Sequence, residues 1–230
     1  MQLSKADLLL LSNFSTINQA MRFIPGTTQR TKSDSGNIFA FAEFSVDFPK
    51  EFCVFDLNHF ISVISLVSST GDVELHFPED AEHLMIRSEK TEQGIRFADS
   101  EIVAEFDNSK EYDIKNPDVT FTLTESMLEY GKKSAAINGY QHLMFGGDEN
   151  EIFMVSNDFS NPSAERHKRT LEQKNNSGEA FEAIFDVSKL KMIPDDYEVK
   201  ISLRGGAQFN SKNRDYRYFS VIENPVNHTN

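Results

Sequence analysis

The sequence predicts an α+β fold built from two copies of one domain, each with two helices packed on antiparallel β-sheet. The first observation is an internal repeat, because residues 3–18 (LSKADLLLLSNFSTIN) are echoed at residues 123–138 (LTESMLEYGKKSAAIN). The second is a later helix that opens in the same way in both halves, with Phe55-Asp56-Leu57 and Phe185-Asp186-Val187. In each half a strand pattern follows that helix. Self-similarity at a fixed offset indicates duplicated structural units.

The length and composition of the chain suit two domains of ordinary size. The chain has 230 residues, of which 39% are hydrophobic and 26% charged, and each half is long enough to bury its own core. A polar segment at residues 107–118 (DNSKEYDIKNPD) marks the boundary. We predict a first domain over residues 1–110, a linker over 111–118 and a second domain over 119–230.

The first half opens with an amphipathic helix. Ser4 can cap this helix, and Asp7 suits the positive end of its dipole. At about 100° per residue, Lys5 and Ser12 lie opposite the apolar side. That side is predicted to consist of Leu3, Ala6, Leu10, Phe14 and Ile17. A second helix runs from Asp56, the candidate N-cap, to about Val67. Strands between turn residues are predicted at 20–24, 27–32, 37–46, 72–77, 84–87, 94–97 and 101–106.

The second half repeats this order of elements. We predict a helix over Glu125–Ile137 capped by Thr124, and a short helix over Asp186–Ile193 stopped by Pro194. Residues 197–203 (YEVKISL) are apolar at every second position. Such alternation is typical of an antiparallel sheet with one face buried and the other in water.

The sequence lacks the residue patterns of catalysis. Its six histidines show no metal-binding spacing, and Gly131-Lys132-Lys133 lacks the preceding glycine of a P-loop. The single cysteine, Cys53, excludes an intrachain disulfide and lies in an apolar segment. We therefore predict a protein that is not an enzyme and uses no cofactor or metal. The net charge of −13 does not exclude a nucleic-acid partner, because the distribution of charge matters more than its sum.

The sequence shows no segment that would direct it to a membrane. The apolar run Leu8–Leu11 is far below the roughly 18 residues needed to span a bilayer. The N-terminus also lacks the basic region and apolar core of a signal peptide. We expect no membrane contact and a cytoplasmic location.

Three segments of the chain carry a family resemblance: MQLSKADLLLLSNFSTIN at the N-terminus, FDLNHFISVISLV at residues 55–67 and SKLKMIPDDYEVKISL at residues 188–203. They resemble the sliding clamps of T-even-type bacteriophages, which are DNA polymerase processivity factors. The resemblance covers essentially the whole length in the same order. Its motifs are structural and not catalytic.

The resemblance implies clamp-type domains assembled into a homotrimeric ring around double-stranded DNA, bound without sequence specificity. It further implies an ATP-driven clamp loader and the replicative DNA polymerase as partners, late-transcription factors in some phages, and a location in the cytoplasm of the infected host cell. Repeated helix-on-sheet domains with free helix sides suit the lining of such a ring. An acidic exterior and a basic bore are compatible with the charge of −13.

Basic residues on the four lining helices are the candidates for DNA contact. They are Lys5, Lys132, Lys133, Lys189 and Lys191. A clamp must slide, so its cations should meet phosphates loosely and read no bases. By the repeat, Lys132 takes the position of Ser12 and should point away from the apolar side. The alternative is that these are ordinary solvated lysines, which the sparse charge of the first two helices favours.

Ring closure is expected through two edge strands of opposite charge. In clamps of this type a late strand of the first domain pairs with an edge strand in the next subunit's second domain. By position these strands are residues 100–106 in the first domain and about 164–172 in the second. Only a pairing of the first-domain strand with the second-domain strand of another subunit joins unlike charges. The interface candidates are Glu101, Glu105, Arg166, Lys168 and Arg169. Two alternatives for residues 166–169 are a solvated basic loop and a DNA contact.

Two other functions remain open at the level of the sequence. One is a β-rich structural or assembly protein, such as a virion component, that forms rings for reasons unrelated to DNA. The other is a small-molecule-binding module, for which the sequence offers no convergent polar cluster.

Overall fold

The chain divides into two compact units, Met1–Lys110 and Glu111–Asn230. The computed structural model describes residues 1–79, 81–103, 106, 112–159, 161 and 163–223. Each unit combines helix with antiparallel sheet, as the α+β prediction requires.

The first unit contains two α-helices, seven strands and one 3₁₀ turn within its described residues. The helices are α1 (Lys5–Ile17) and α2 (Leu57–Ser68). The strands are β1 (Met21–Phe23), β2 (Gly26–Lys32), β3 (Ile38–Phe48), β4 (Phe52–Val54), β5 (Glu74–His76), β6 (His83–Arg87) and β7 (Glu92–Arg96). The pairs β1–β4 and β2–β3 and the three-stranded set β5-β6-β7 are all antiparallel.

Helix α1 is fixed at its first turn by a capping box. Asp7 N–H donates to Ser4 Oγ (3.1 Å) and Ser4 N–H donates back to Asp7 Oδ2 (2.8 Å). Asp7 is also buried, because its carboxylate accepts the backbone N–H of Ser45 on β3 at 2.8 Å and the Ser45 hydroxyl. One carboxylate therefore caps the helix and docks it on the sheet. The predicted apolar side is correct at three of its positions, but Ala6 is exposed and the fully buried Leu11 belongs to that side.

Phenylalanine dominates the core of the first unit. The rings of Phe23 and Phe52 stack with centroids 4.5 Å apart, and Phe48 and Phe60 approach Phe23 at 5.0 and 6.1 Å. These rings come from β1, β3, β4 and α2. The helices are thus held to the sheets by aromatic packing as well as by aliphatic burial.

The second unit has one α-helix among its described residues, α3 (Glu125–Asn138). Its strands are β8 (Val119–Leu123), β9 (His142–Gly147), β10 (Glu151–Asn157), β11 (His167–Lys174), β12 (Phe181–Asp186), β13 (Tyr197–Ser202), β14 (Gly206–Ser211) and β15 (Tyr216–Val221). One antiparallel sheet has the order β11-β10-β9-β12, and β8-β13-β14-β15 are likewise paired antiparallel. Strand β13 alternates buried residues with exposed or partly exposed ones, as its sequence predicts.

Helix α3 lies unusually close to its sheet at Gly131. A Cβ at this glycine would come within 2.5 Å of Met154 Sδ and 2.9 Å of Leu143 Cδ2. Thr124 caps the start of the helix, as predicted, and Gly139 ends it in the left-handed region at φ 68°.

The short helix predicted over residues 186–193 is instead a three-residue 3₁₀ turn, Val187–Lys189. Leu190, Met192 and Ile193 are all buried. Residues two apart on a helix point about 200° apart, so a single helix face could not bury all three. The chain buries them as an irregular segment that leads to Pro194.

The strand predicted over residues 100–106 is also wrong at its start, where Ser100–Ile102 form a 3₁₀ turn. The Asp99 carboxylate accepts the N–H of Glu101 at 3.0 Å. Such a local side-chain bond competes with a β ladder for the same N–H. Residues 104 and 105 lie outside the described residues.

None of the described helices combines the length and the apolar composition that crossing a bilayer requires. The described residues also hold no group of three or more His, Cys, Asp or Glu arranged for a metal ion.

Candidate nucleic-acid interface

The exposed sides of α1 and α2 carry no carboxylate. On α1, Lys5 lies near the middle of the exposed side with Ser12 and Thr16, while Asp7 is buried. The exposed residues within α2 are Asn58, His59, Ser62, Ser65, Leu66 and Ser68. In a chain with a net charge of −13 this is a marked local departure from the average. These helix sides are therefore weakly positive or neutral within an acidic protein.

Many hydroxyls on these helices donate to their own backbone. Ser62 Oγ donates to Asn58 O at 2.7 Å, and Thr16 Oγ1 donates to Asn13 O at 2.7 Å. Their protons are thus used within the helix. The exposed surface of α1 and α2 therefore offers few donors to an anion besides the Lys5 ammonium.

On α3 the two adjacent lysines lie in different environments. Lys133 is exposed, whereas Lys132 is only partly accessible and lies on the flank of the buried side. Burial lowers the pKa of Lys132, and the neighbouring Glu129 opposes this shift. The expectation that Lys132 points squarely away from the core is therefore wrong, and Lys133 takes that direction.

Lys189 and Lys191 lie in and just after the 3₁₀ turn. The Lys189 ammonium pairs with the Glu223 carboxylate and is 3.9 Å from Asp186 Oδ2, with only 22% of its side chain exposed. His142 Nε2 is 3.5 Å from the same Glu223 carboxylate. Lys191 is partly buried. The charge of Lys189 is thus largely balanced within the unit.

Strand β11 lies at one edge of its four-stranded sheet and places its basic residues on both faces. Arg169 packs its guanidinium over the ring of Tyr130 on α3, 4.2 Å from the centroid. Tyr130 Oη and His167 Nε2 are 2.7 Å apart. Arg169 and His167 therefore share the face of the sheet that α3 covers.

Lys168 projects to the opposite face. Its ammonium is 3.8 Å from the centroid of Phe153 and 3.4 Å from Glu151 Oε1. Arg166, before the strand begins, is exposed. The basic run predicted as one interface is thus divided by the alternation of the strand.

The acidic half of the predicted interface is only partly described. Glu101 is exposed in the 3₁₀ turn beside Ile102, whose side chain is 58% exposed. Arg22 Nη2 donates to Ser100 O at 2.8 Å and anchors this turn on β1. Glu105 lies outside the described residues.

Sequence reasoning missed Tyr130 as a functional candidate. Tyr130 lies in the repeated segment, but a tyrosine in an amphipathic helix is ordinarily assigned to packing. The sequence feature that could have identified Tyr130 is the combination of an aromatic residue on the polar side of α3 with the basic residues 166–169. That combination becomes visible only when β11 is placed beside the helix.

Comparison with known proteins agrees with this architecture. A family model described as DNA polymerase processivity factor matches residues 4–105. The chain is 25% identical over 232 residues to the sliding clamp of Vibrio phage KVP40. This alignment covers 94% of the chain and 97% of the KVP40 protein. It is 33% identical over 76 residues to the sliding clamp of Escherichia phage RB69, covering 33% of each chain. Among solved structures, the PCNA of A. fulgidus, bound to the C-terminal region of FEN-1, superposes with a TM-score of 0.71 at 14% identity, over 97% of both chains.

Two helix-on-sheet units and a near full-length match to PCNA define the sliding-clamp fold. Within that class, the chain is similar in sequence to the sliding clamps of T-even-type phages. The resemblance seen in the sequence is thereby confirmed.

Proposed function

We propose that the protein closes as a homotrimeric ring around duplex DNA and tethers the replicative polymerase without catalysing a reaction itself. The observation that carries this proposal is the match to the KVP40 sliding clamp, because it extends over nearly the whole of both chains. An ATP-driven loader opens the ring. Late-transcription factors are further partners, and the cytoplasm of the infected host cell is where the ring works.

The charge pattern of the helices supports a DNA-facing role for them. A sliding contact needs a surface that does not repel phosphate and does not hold it at fixed points. Carboxylate-free exposed sides on α1 and α2, with Lys5 near the middle of one of them, meet both conditions. Lys133 extends the same role to α3, while Lys132, Lys189 and Lys191 contribute less because they are buried or paired.

The unpaired edge of β11 and the charges near it support a head-to-tail contact between subunits. Strand β11 has one neighbour, β10, among the described strands, and its other edge can accept a strand from another chain. Arg166 and Lys168 lie at or near this edge, and the exposed Glu101 and Ile102 offer an acidic and apolar surface in the first unit. Glu105 belongs to the same proposal. A heterologous contact of this kind forms a ring when its rotation closes.

Primer extension on a long, singly primed template tests the proposal. The polymerase alone should give short products, and the protein should lengthen them only when the loader and ATP are present. Products of unchanged length with all components present would contradict it.

The DNA-facing assignment has its own test. Replacing both Lys5 and Lys133 with Glu should shorten the products, because two cations that meet phosphate become anions. Replacing both Lys90 and Lys212, which are exposed after β6 and after β14, with Glu makes the same change of charge away from the helices and should leave product length unchanged. Equal loss in the helix variant and the control would point to net charge and not to position.

A further inference from the structure

The surface where α3 meets β11 holds a cluster of Tyr130, Lys133, His167 and Arg169, here termed the Tyr130 cluster. We infer that the Tyr130 cluster binds the phosphodiester backbone of duplex DNA, with Arg169 and Lys133 as its phosphate-contacting cations. This assigns Arg169 to DNA contact and not to the subunit interface. The inference rests on the proposed function, because it takes the helix side of each unit as the side that DNA meets.

The face of the sheet on which Arg169 lies is fixed by several contacts. Arg169 is opposite Met154 in the β10–β11 ladder, and Met154 packs against α3 at Gly131. His167 is opposite Ser156, whose hydroxyl is 2.7 Å from Ser134 Oγ on α3. Directly opposed residues of an antiparallel pair share one face. Arg169 and His167 therefore project to the α3 side.

Tyr130 positions the two basic groups of β11. A guanidinium stacked on an aromatic ring keeps its N–H donors in its own plane, so stacking leaves them available to oxygen acceptors at the side. The Arg169 guanidinium carbon lies over the Tyr130 ring, 4.2 Å from its centroid, and this cation–π contact limits the freedom of a long side chain without neutralising its charge. The Tyr130 hydroxyl, in turn, holds the imidazole of His167.

Lys133 adds a second cation to the same surface. It lies three residues after Tyr130 and so on the neighbouring part of the helix surface. Within the described residues, neither Lys133 nor Arg169 lies within ion-pair distance of a carboxylate. Glu129 lies beside Lys132 instead. The cluster therefore presents unbalanced positive charge.

Lys168 provides a matched contrast. Lys168 is adjacent to Arg169 in sequence, and both side chains are exposed. Lys168, however, projects to the face of the sheet away from α3 and pairs with Glu151. If position on the α3 face decides DNA contact, Arg169 should matter and Lys168 should not. If the whole basic run acts as one interface, both should matter to assembly and neither specifically to DNA.

The test is the salt dependence of binding to a short linear duplex that can thread a closed ring, measured by fluorescence anisotropy at low ionic strength. Each phosphate contact contributes about 0.9 to the slope of log affinity against log salt concentration. Arg169→Gln and Lys133→Gln should each lower that slope. Lys90→Gln, in the exposed turn after β6, should leave it at the wild-type value, and so should Lys168→Gln in protein that sediments like the wild type. Tyr130→Ala should act like Arg169→Gln, and Tyr130→Phe, which keeps the stacking ring, should retain most of the slope.

Sedimentation of each variant separates DNA contact from assembly. Trimers of Arg169→Gln with a reduced slope support the inference. A monomeric Arg169→Gln protein, together with a wild-type slope for Tyr130→Ala, would overturn it and assign Arg169 to the interface. A wild-type slope in trimeric Arg169→Gln would overturn it too. Salt-independent or undetectable duplex binding by the wild type would instead count against the proposed function itself.

Discussion

At the scale of single residues, two buried carboxylates organise the two units. Asp7 joins α1 to β3, and Asp195 collects donors from the hydroxyls of Ser211 (2.6 Å) and Tyr216 (2.5 Å) and from the Asn213 amide. Burial favours the neutral form of each acid, but the hydrogen bonds outweigh it and hold the pKa of both carboxyl groups below the ordinary value.

The pKa values of the tyrosines around Asp195 are raised, whereas that of Asp195 is lowered. Burial, followed by the bond to Asp195, raises the pKa of Tyr216 to about 12. Burial also raises the pKa of Tyr197 and Tyr218. All three hydroxyls thus stay protonated at neutral pH, and Tyr216 can act as a permanent donor to the carboxylate.

Asp195→Asn should destabilise the protein in a pH-dependent way. A folded-state pKa below the unfolded value of about 3.9 means that Asp195 contributes stability above about pH 4 and loses it as pH falls through the folded pKa. The substitution should cost about 2 kcal/mol at pH 7, because it removes a charged acceptor from buried donors. Urea unfolding at neutral and acidic pH measures the difference.

Asp215, exposed in the turn before β15, offers the control. Asp215→Asn should change the free energy of unfolding little at any pH. A loss for Asp195→Asn that stays the same from neutral pH to below pH 4 would mean that shape, and not charge, is what this site requires.

At the scale of elements, sequence predicts the existence of a helix better than its rotation. The capping residues Ser4, Asp56 and Thr124 were each predicted and observed, since caps depend on local chemistry. The direction of Lys132 was not, because α3 buries Leu128, Gly131 and Ala135 and so places Lys132 beside its buried side. Helix α1 has Leu11 at the equivalent position and is rotated differently on its sheet.

The two 3₁₀ turns show a second limit on what the sequence predicts about individual elements. The apolar residues Leu190, Met192 and Ile193 fit a short helix or an irregular buried segment equally well in sequence. Tertiary burial of all three decides the outcome. At Ser100–Ile102, bonds from Glu101 N–H to the Asp99 carboxylate and from Arg22 to Ser100 O accompany a 3₁₀ turn where the sequence predicts a strand.

Gly131→Ala should destabilise the second unit although alanine is the better helix former. The added methyl group would meet Met154 and Leu143 at under 3.0 Å, and overpacking of this kind costs about 1–3 kcal/mol. The gain in helix propensity is about 1 kcal/mol. Thermal unfolding should therefore give a lower Tm.

Gly205→Ala is the matched control, because a Cβ there would meet nothing within 4 Å. It should leave the Tm nearly unchanged. A stabilised Gly131→Ala protein would show that Met154 moves aside easily, and that the glycine does not determine how α3 lies on its sheet.

At the scale of the whole molecule, the sequence predicted the two-part α+β architecture but only part of the candidate site. The repeat and the period-two strands depend on local patterns that survive in one sequence. The Tyr130 cluster depends on which residues of α3 and β11 meet, and these are 37 residues apart at the Tyr130–His167 bond. The absence of exposed carboxylates on α2 can be read from its sequence, whereas on α1 it depends on the burial of Asp7 in the folded unit.

Assembly of copies of this molecule should depend on the charge at the edge of β11. Replacing both Arg166 and Lys168 with Glu should weaken the proposed trimer, since both lie at or near the free edge of β11 and would then repel the acidic turn around Glu101. Restoring unlike charge with Glu101→Lys in the same chain should recover part of the trimer. Exposed ion pairs contribute only about 0.2–1 kcal/mol each, so the effect should be collective and should fade as salt rises.

Analytical ultracentrifugation over a range of protein and salt concentrations measures this effect. Lys90→Glu, at the exposed turn after β6, controls for a general change in net charge and should leave assembly unaltered. Because Lys168 already pairs with Glu151 inside its own unit, Arg166→Glu alone should account for most of the loss. Trimers of wild-type stability in the double variant, at low salt, would place the contact between subunits elsewhere on the molecule.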